Sequence, residues 1–317
     1  MPPIRGPACG IESIDEQLLM RYLHLDVFTS RPLEGNQLAV FPDPPDLGPE
    51  RMQAVAREMA FSETTFVYPP AGEGDVRLRI FTPGRELPIA GHPTIGTTFA
   101  LAAEGMVEPW RDRFVFELGV GPTPVSLEWI EGRLAFVWMT QPLPAAGGVV
   151  EDRAAVAAAL GVAGEDLVGG LPVQMLSSGV PYVYVPLRTR AAVDTVNVDR
   201  RALVRCLKGA GLEELPVFVL TTDTGGGETV YTRMLGPALG ITEDPATGSA
   251  SGPLGAYLVL NGVVTPEGAR NLISLQGVAM GRPSRVHISV DSANGTIAGV
   301  RVGGESVLVG RGELEIS

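Results

Sequence analysis

What the 317-residue chain lacks narrows the question first. It carries 24 Lys and Arg against 36 Asp and Glu, a formal charge of −12, which argues against an electrostatic grip on nucleic acid or on an anionic membrane. Two cysteines, Cys9 and Cys206, are too few for a disulfide framework, so a reducing, cytoplasmic setting is expected. Cys206 shares one face of an expected helix with Leu203 and Leu207. There is no run of about eighteen apolar residues, and the opening MPPIRGPACGIESIDEQLL holds no apolar segment of the secretory kind. His-x-x-x-His, Cys-x-x-Cys, the Walker lysine motif and a Gly-x-Gly-x-x-Gly opening a helix are all missing, and Gly225-Gly226-Gly227 reads as a strand connection. A metal site and a nucleotide cradle are thus without support, and cofactor-free acid–base chemistry on a small molecule remains.

What is present is an ordinary globular composition rich in turns, 45% hydrophobic and 19% charged, with 40 Gly and 27 Pro. The length suits two domains of about 150 residues. The pattern LMRYLHLDVFTSRPLEGNQLAVF has the look of a domain beginning, so residues 1–19 are read as a tail and Met20 as a candidate start. Leu23–Phe28 and Gln37–Phe41 alternate as the strands of a hairpin around the turn Arg31–Gly35. Pro49 suits a first helical position, with Met52, Val55, Ala56 and Met59 on one apolar face. Strands are expected at 62–68, 76–81, 113–118, 124–130, 134–139, 182–187, 217–220, 230–235, 286–290, 297–302 and 306–309. A loop at Gln141–Gly148 is the expected joint, followed by an alanine-rich helix over Val150–Leu160.

Two short stretches stand out. Gly91–Thr97 reads GHPTIGT and Glu243–Ser251 reads EDPATGSAS, sharing the frame X-Pro-x-x-Gly-Ser/Thr with His92 in one copy and Asp244 in the other. Each leads into a segment almost free of charge, 97–104 and 250–260, and a helix apolar on every side is a buried one. With Arg79–Pro83 and Arg233–Pro237 standing at similar distances upstream, the chain reads as two similar halves. Many short strands around one apolar helix per half make the expected class α+β.

A helix that opens at such a turn leaves its first N–H groups unpaired and presents the positive end of its dipole, a natural seat for a carboxylate. Two such ends facing one another would clamp a small acid. His92 and Asp244 are both suited to proton transfer, although His92 alone reads more readily as a structural histidine; His24 and His287 are assigned to structure. Glu63 opens the apolar strand at 64–68, where burial would raise its pKa toward neutrality. A solvated strand end is the other reading of Glu63.

Five segments carry a resemblance: LDVFTSRPLEGNQLAVF, SETTF at 62–66, AGHPTIGT at 90–97, EDPATGSAS at 243–251 and QGVAMGRPS at 276–284. In this order they resemble the PhzF family of phenazine-biosynthesis isomerases and their relatives. The resemblance implies a diaminopimelate epimerase-like fold of two similar domains, 20–143 and 144–317, with the closing strands free to return to the first. Each domain would be a β-barrel wrapped around a central apolar helix, with the active site in the cleft between them. It implies that Glu63 moves a proton between carbons of a small unsaturated or cyclic carboxylic acid, assisted by His92, Asp244 and Ser249. Asn36, Gly91 and Gly248 would contact the substrate, with Ser249 and the two glycines holding its carboxylate. No metal or cofactor is implied, and a homodimer is expected. Gln37 departs from the Gly-Asn-Pro common in the family. Fold relatives that epimerise amino acids use two thiols at the motif positions, which Cys9 and Cys206 do not supply. A small-acid-binding protein without turnover, or an epimerase using the same carboxylate, are the alternatives.

Overall fold

A computed structural model describes residues 18–237, 240–293 and 295–316. Cys9 and residues 1–17 of the expected tail lie outside the described residues. The first half runs β1 (Leu18–Val27), β2 (Asn36–Phe41), α1 (Pro49–Met59), β3 (Glu63–Tyr68), β4 (Val76–Phe81), β5 (Glu86–Leu87), α2 (Gly91–Ala103), β6 (Arg113–Leu118), β7 (Gly121–Ile130) and β8 (Arg133–Gln141). β9 (Ala145–Val149) and α3 (Arg153–Leu160) lead into β10 (Gln174–Ser177), β11 (Pro181–Pro186), α4 (Arg190–Thr195), α5 (Arg200–Gly209), β12 (Val217–Thr221) and β13 (Val230–Gly236). Then come β14 (Ile241–Asp244), α6 (Gly248–Leu260), β15 (Leu272–Gln276), β16 (Ser284–Ala293), β17 (Thr296–Gly304) and β18 (Ser306–Ile316).

The strand pairings repeat. β1 is antiparallel to β2, β2 parallel to β3, β3 antiparallel to β4, β4 parallel to β6, and β6, β7 and β8 follow as antiparallel neighbours. The series β10, β11, β12, β13, β15, β16 and β17 has the same succession of senses. β8 pairs with β17 at the seam between the two series. The flanking strands are exchanged: β9, which follows the first series, pairs with β10, and β18, which follows the second, pairs with β1. The architecture is α+β, two similar sheets each curled around one helix.

Burial explains why α2 and α6 take the centres. From Gly91 to Thr98, and at Ala100 and Leu101, α2 is buried; Ile95, Ala100 and Leu101 pack with Val27, Leu38, Ile80, Phe116 and Val137. α6 is buried through Leu258 except at Ser249, with Leu254, Tyr257 and Leu258 in one cluster with Tyr184, Phe218, Ile288 and Val290. A helix with no polar face is stable only where every side is covered. Outside the sheets, amphipathic α1 forms one outer layer with Phe41, Phe66 and Phe81, and α3, α4 and α5 another with Val183, Val217 and Leu235.

Several local expectations shift. Strand β1 begins at Leu18, so residues 18 and 19, assigned to the tail, pair with Ile316 and Glu315. Half of the expected joint is β9. The alanine-rich helix starts at Arg153, not Val150, because Asp152 accepts the Ala155 N–H at 2.9 Å as its N-cap and Val150 turns into the core. The duplication holds in topology, but in a different register from the X-Pro-x-x-Gly frame. The helix starts align Gly91 with Gly248, five residues before the Gly96 that the frame puts there. Thr94 and Ser251 confirm this register: each hydroxyl donates to the carbonyl four residues back, on its helix's N-cap, Ala90 at 2.7 Å and Thr247 at 2.9 Å.

One long-range tether fixes the loop entering β2. Arg282 donates to the buried carboxylate of Asp26, to Glu34 O at 2.7 Å and to Gly35 O at 2.8 Å. Gly35 has φ +69°, and a Cβ there would lie 2.4 Å from Val27 O, so this turn requires glycine. Asp26 is 1% exposed, and removing its partner strands a charge in the interior. Arg282→Ala should therefore lose about 3 kcal/mol in urea unfolding at pH 7.

Candidate active site

Two uncapped helix ends meet at the centre of the molecule. Neither α2, with N-cap Ala90, nor α6, with N-cap Thr247, has a side-chain cap hydrogen bond. Gly91 and Gly248, the first helical residues, stand so close that a Cβ on Gly91 would lie 3.3 Å from Gly248 Cα. The first-turn N–H groups have no carbonyl a turn earlier, and Pro93 has no N–H to leave unpaired. Two positive dipole ends thus converge on one point.

Around that point stand the side chains singled out above. β3 opens with Glu63 and lies parallel to β2, with Leu38 opposite Glu63. Glu63 Oε2 is 3.2 Å from His92 Nε2, the second residue of α2. The two atoms lack the alignment of a hydrogen bond, and both, with Asn36 Oδ1, have no partner among the described residues. Asp244 does not face His92 directly. Asn36 stands between them, its Nδ2 donating to Asp244 Oδ1 at 3.0 Å and to Ala246 O at 2.9 Å and lying 3.5 Å from His92 Nδ1. Those two bonds use both amide hydrogens. Asp244 also accepts from Thr247 Oγ1 at 2.6 Å and Ser62 Oγ at 3.4 Å. Ser249 Oγ lies 2.8 Å from the Tyr182 hydroxyl.

Enclosure sets the protonation states. Burial first, and then the negative Asp244, hold Glu63 well above the carboxylate range. Asp244 is itself pushed to about 6, mainly by burial, against the pull of hydrogen bonds from Thr247, Asn36 and Ser62. Burial takes His92 down to about 3, opposed by a backbone contact with Gln37. The site therefore holds a neutral imidazole beside two carboxyls that both keep their protons to higher pH than an exposed carboxylate, a tuning that suits acid–base work.

The segment 25–312 matches the family model described as phenazine biosynthesis-like protein, PhzC-PhzF. The trans-2,3-dihydro-3-hydroxyanthranilate isomerase of Pseudomonas aeruginosa is 39% identical over 292 residues, which span 92% of this chain and 98% of that one. The chain belongs to the PhzF family. It is a PhzF-like isomerase, and its fold is shared with the Bacillus anthracis phenazine biosynthesis protein of the PhzF family, at a TM-score of 0.84 and 27% identity over 94% of this chain and 100% of that one. A hydroxyproline epimerase from Agrobacterium vitis shares the fold at 14% identity and a TM-score of 0.63, over 94% of this chain and 93% of that one.

In this PhzF-family chain Glu63, His92, Asp244, Asn36, Ser249, Gly91 and Gly248 all come together. Cys206 lies apart, half-buried in α5. Sequence reasoning missed four supporting residues. Gln276 accepts the Thr247 N–H at 3.1 Å and donates to Asp244 O at 2.8 Å; Gln141 donates to Gly248 O at 2.9 Å. Thr247 and Tyr182 complete the set. Gln276 and Thr247 sat inside recognised motifs, whereas Gln141 and Tyr182 end or open plain strands and carried no signal.

The raised pKa of Asp244 has a definite sign. The folded state holds its proton more tightly than the unfolded chain, so this contribution is complete below about pH 4 and is lost as pH rises through about 6. At pH 7 the ionised form costs up to about 3 kcal/mol. The stability of Asp244→Asn relative to wild type should accordingly rise by about that amount between pH 4 and pH 7, read from urea curves at each pH.

Proposed function

We propose that the protein is a cofactor-independent isomerase that moves a proton between carbons of a small unsaturated or cyclic carboxylic acid, with Glu63 as the acid–base group. The observation that carries this reading is the unpartnered pair Glu63 Oε2 and His92 Nε2, 3.2 Å apart beside two uncapped helix ends. The helix ends and Ser249 would take the substrate's carboxylate. Ionised Glu63 would remove a proton from a carbon made acidic by conjugation: the C–H bond breaks, its electron pair shifts into the adjacent unsaturation, and the carboxyl returns a proton to another carbon. Neutral His92 would limit where the Glu63 carboxyl can move, while Asp244 fixes Asn36 and raises the basicity of Glu63. The 39% identical relative is named for a cyclic, unsaturated amino acid of this type, which makes dihydro-hydroxyanthranilates the first compounds to try. The protein is further proposed to work as a homodimer.

Turnover in heavy water should place deuterium on a product carbon. Glu63→Gln should lower kcat by about 10²- to 10⁴-fold; full activity in that variant would remove Glu63 from its role.

Since Glu63 must ionise to act as a base, kcat/KM should rise with pH on a limb above the ordinary carboxylate range. Asp244→Asn removes a negative neighbour, lowers the pKa of Glu63 and should move that limb to lower pH. A limb that stays in place would separate the two carboxyls.

A further inference from the structure

The proton chemistry above leaves Tyr182 without a task, although its hydroxyl reaches the site. Tyr182 is the second residue of β11, 4% exposed, with its hydroxyl 2.8 Å from Ser249 Oγ. Ser249 occupies the second position of α6, at the uncapped end, the place that His92 holds on α2. Of these two equivalent side chains, one faces Glu63 and the other faces Tyr182.

The direction of the Tyr182–Ser249 hydrogen bond follows from what each group has to offer. Burial and the neighbouring Asp244 and Glu63 push the phenol's pKa up, so its hydrogen stays on. An enclosed hydroxyl that fails to donate loses the worth of a hydrogen bond, and Ser249 Oγ is the partner it has among the described residues. Serine carries one hydrogen and two acceptor sites. With Tyr182 donating into one acceptor site, the hydrogen of Ser249 is left to point elsewhere, and the neighbouring α6 end gathers the N–H groups of Gly248 and Ser249.

We propose that Tyr182 is a positioning residue that fixes Ser249 as a hydrogen-bond donor and thereby makes the α6 end select a carboxylate over the corresponding neutral carboxamide. A carboxylate only accepts, and matches an array of donors; a carboxamide brings two N–H groups that meet donors there and leave buried groups unpaired. This inference rests on the isomerase reading of the same site, and it assigns to Tyr182 selectivity for the ligand's charged end, with no part in proton transfer.

The test uses anthranilate and 2-aminobenzamide, an aromatic pair without a ring proton to be shifted, titrated calorimetrically into the full chain. Wild type should bind anthranilate at least about 10-fold more tightly than the amide, and Tyr182→Phe should erase most of that preference by weakening anthranilate alone. Ser249→Ala should do the same, and the double variant should be no worse than Ser249→Ala, because Tyr182 acts through Ser249. The proposal is overturned if wild type shows no preference, if Tyr182→Phe retains it, if either single variant weakens both ligands equally, or if the two losses add. Solvent deuterium uptake by wild type is measured separately. Its failure would sink the isomerase reading and leave the binding preference standing, whereas loss of the preference with uptake intact would sink only the role of Tyr182.

Discussion

The approach of Gly91 to Gly248 governs the rest of the molecule. A Cβ on Gly91 would already crowd Gly248 Cα at 3.3 Å, so the two helices meet end to end with little room for a side chain on α2, and each must be sheathed well enough to keep its axis fixed. The two curled sheets provide that sheath, and the apolar character of α2 and α6 follows from it. The meeting point concentrates two positive dipole ends in a largely buried place, where their field is less screened than at the surface. Against such a field an enclosed carboxyl pair is tolerable, although burial still drives both members upward.

The pair is unequal for a structural reason. Asp244 lies just ahead of α6 and accepts hydrogen bonds from Thr247, Asn36 and Ser62. Glu63 Oε2 has no such donors, so nothing offsets the burial that raises the pKa of Glu63. Asn36 ties the arrangement together, and the loop leading to it is held by Arg282 and Pro283 from the other half of the chain. The geometry of the site is thus set jointly by segments far apart in sequence.

Much of this was legible in the residues because the two apolar helices and their glycine-bearing starts are local patterns. The α+β class, the two-half organisation and most strands followed from periodicity and turn chemistry. The register of the repeat did not. Pro93 and Pro245 suggested a frame that the backbone does not use, since Pro93 sits inside the first turn of α2 whereas Pro245 precedes α6 altogether. Nor could any pattern show that Asn36 separates Asp244 from His92, or that Gln141 and Tyr182 reach α6. Those are contacts between strand ends and a helix in three dimensions, and a strand end has no periodicity of its own. The start of α3 was misplaced for a simpler reason: the Asp152 cap outweighs the apolar run before it.

The exchange of β9 and β18 bears on how the chain is made. On a ribosome the strands β1–β8 emerge first, but the neighbour that covers the outer edge of β1 is β18, the last strand described. At ordinary rates of synthesis the gap between them is on the order of tens of seconds. For that interval β1 presents unpaired N–H and C=O groups along its length. Folding of the first half is completed by the final stretch of the second, so a nascent chain has a long window in which an exposed strand edge needs shelter.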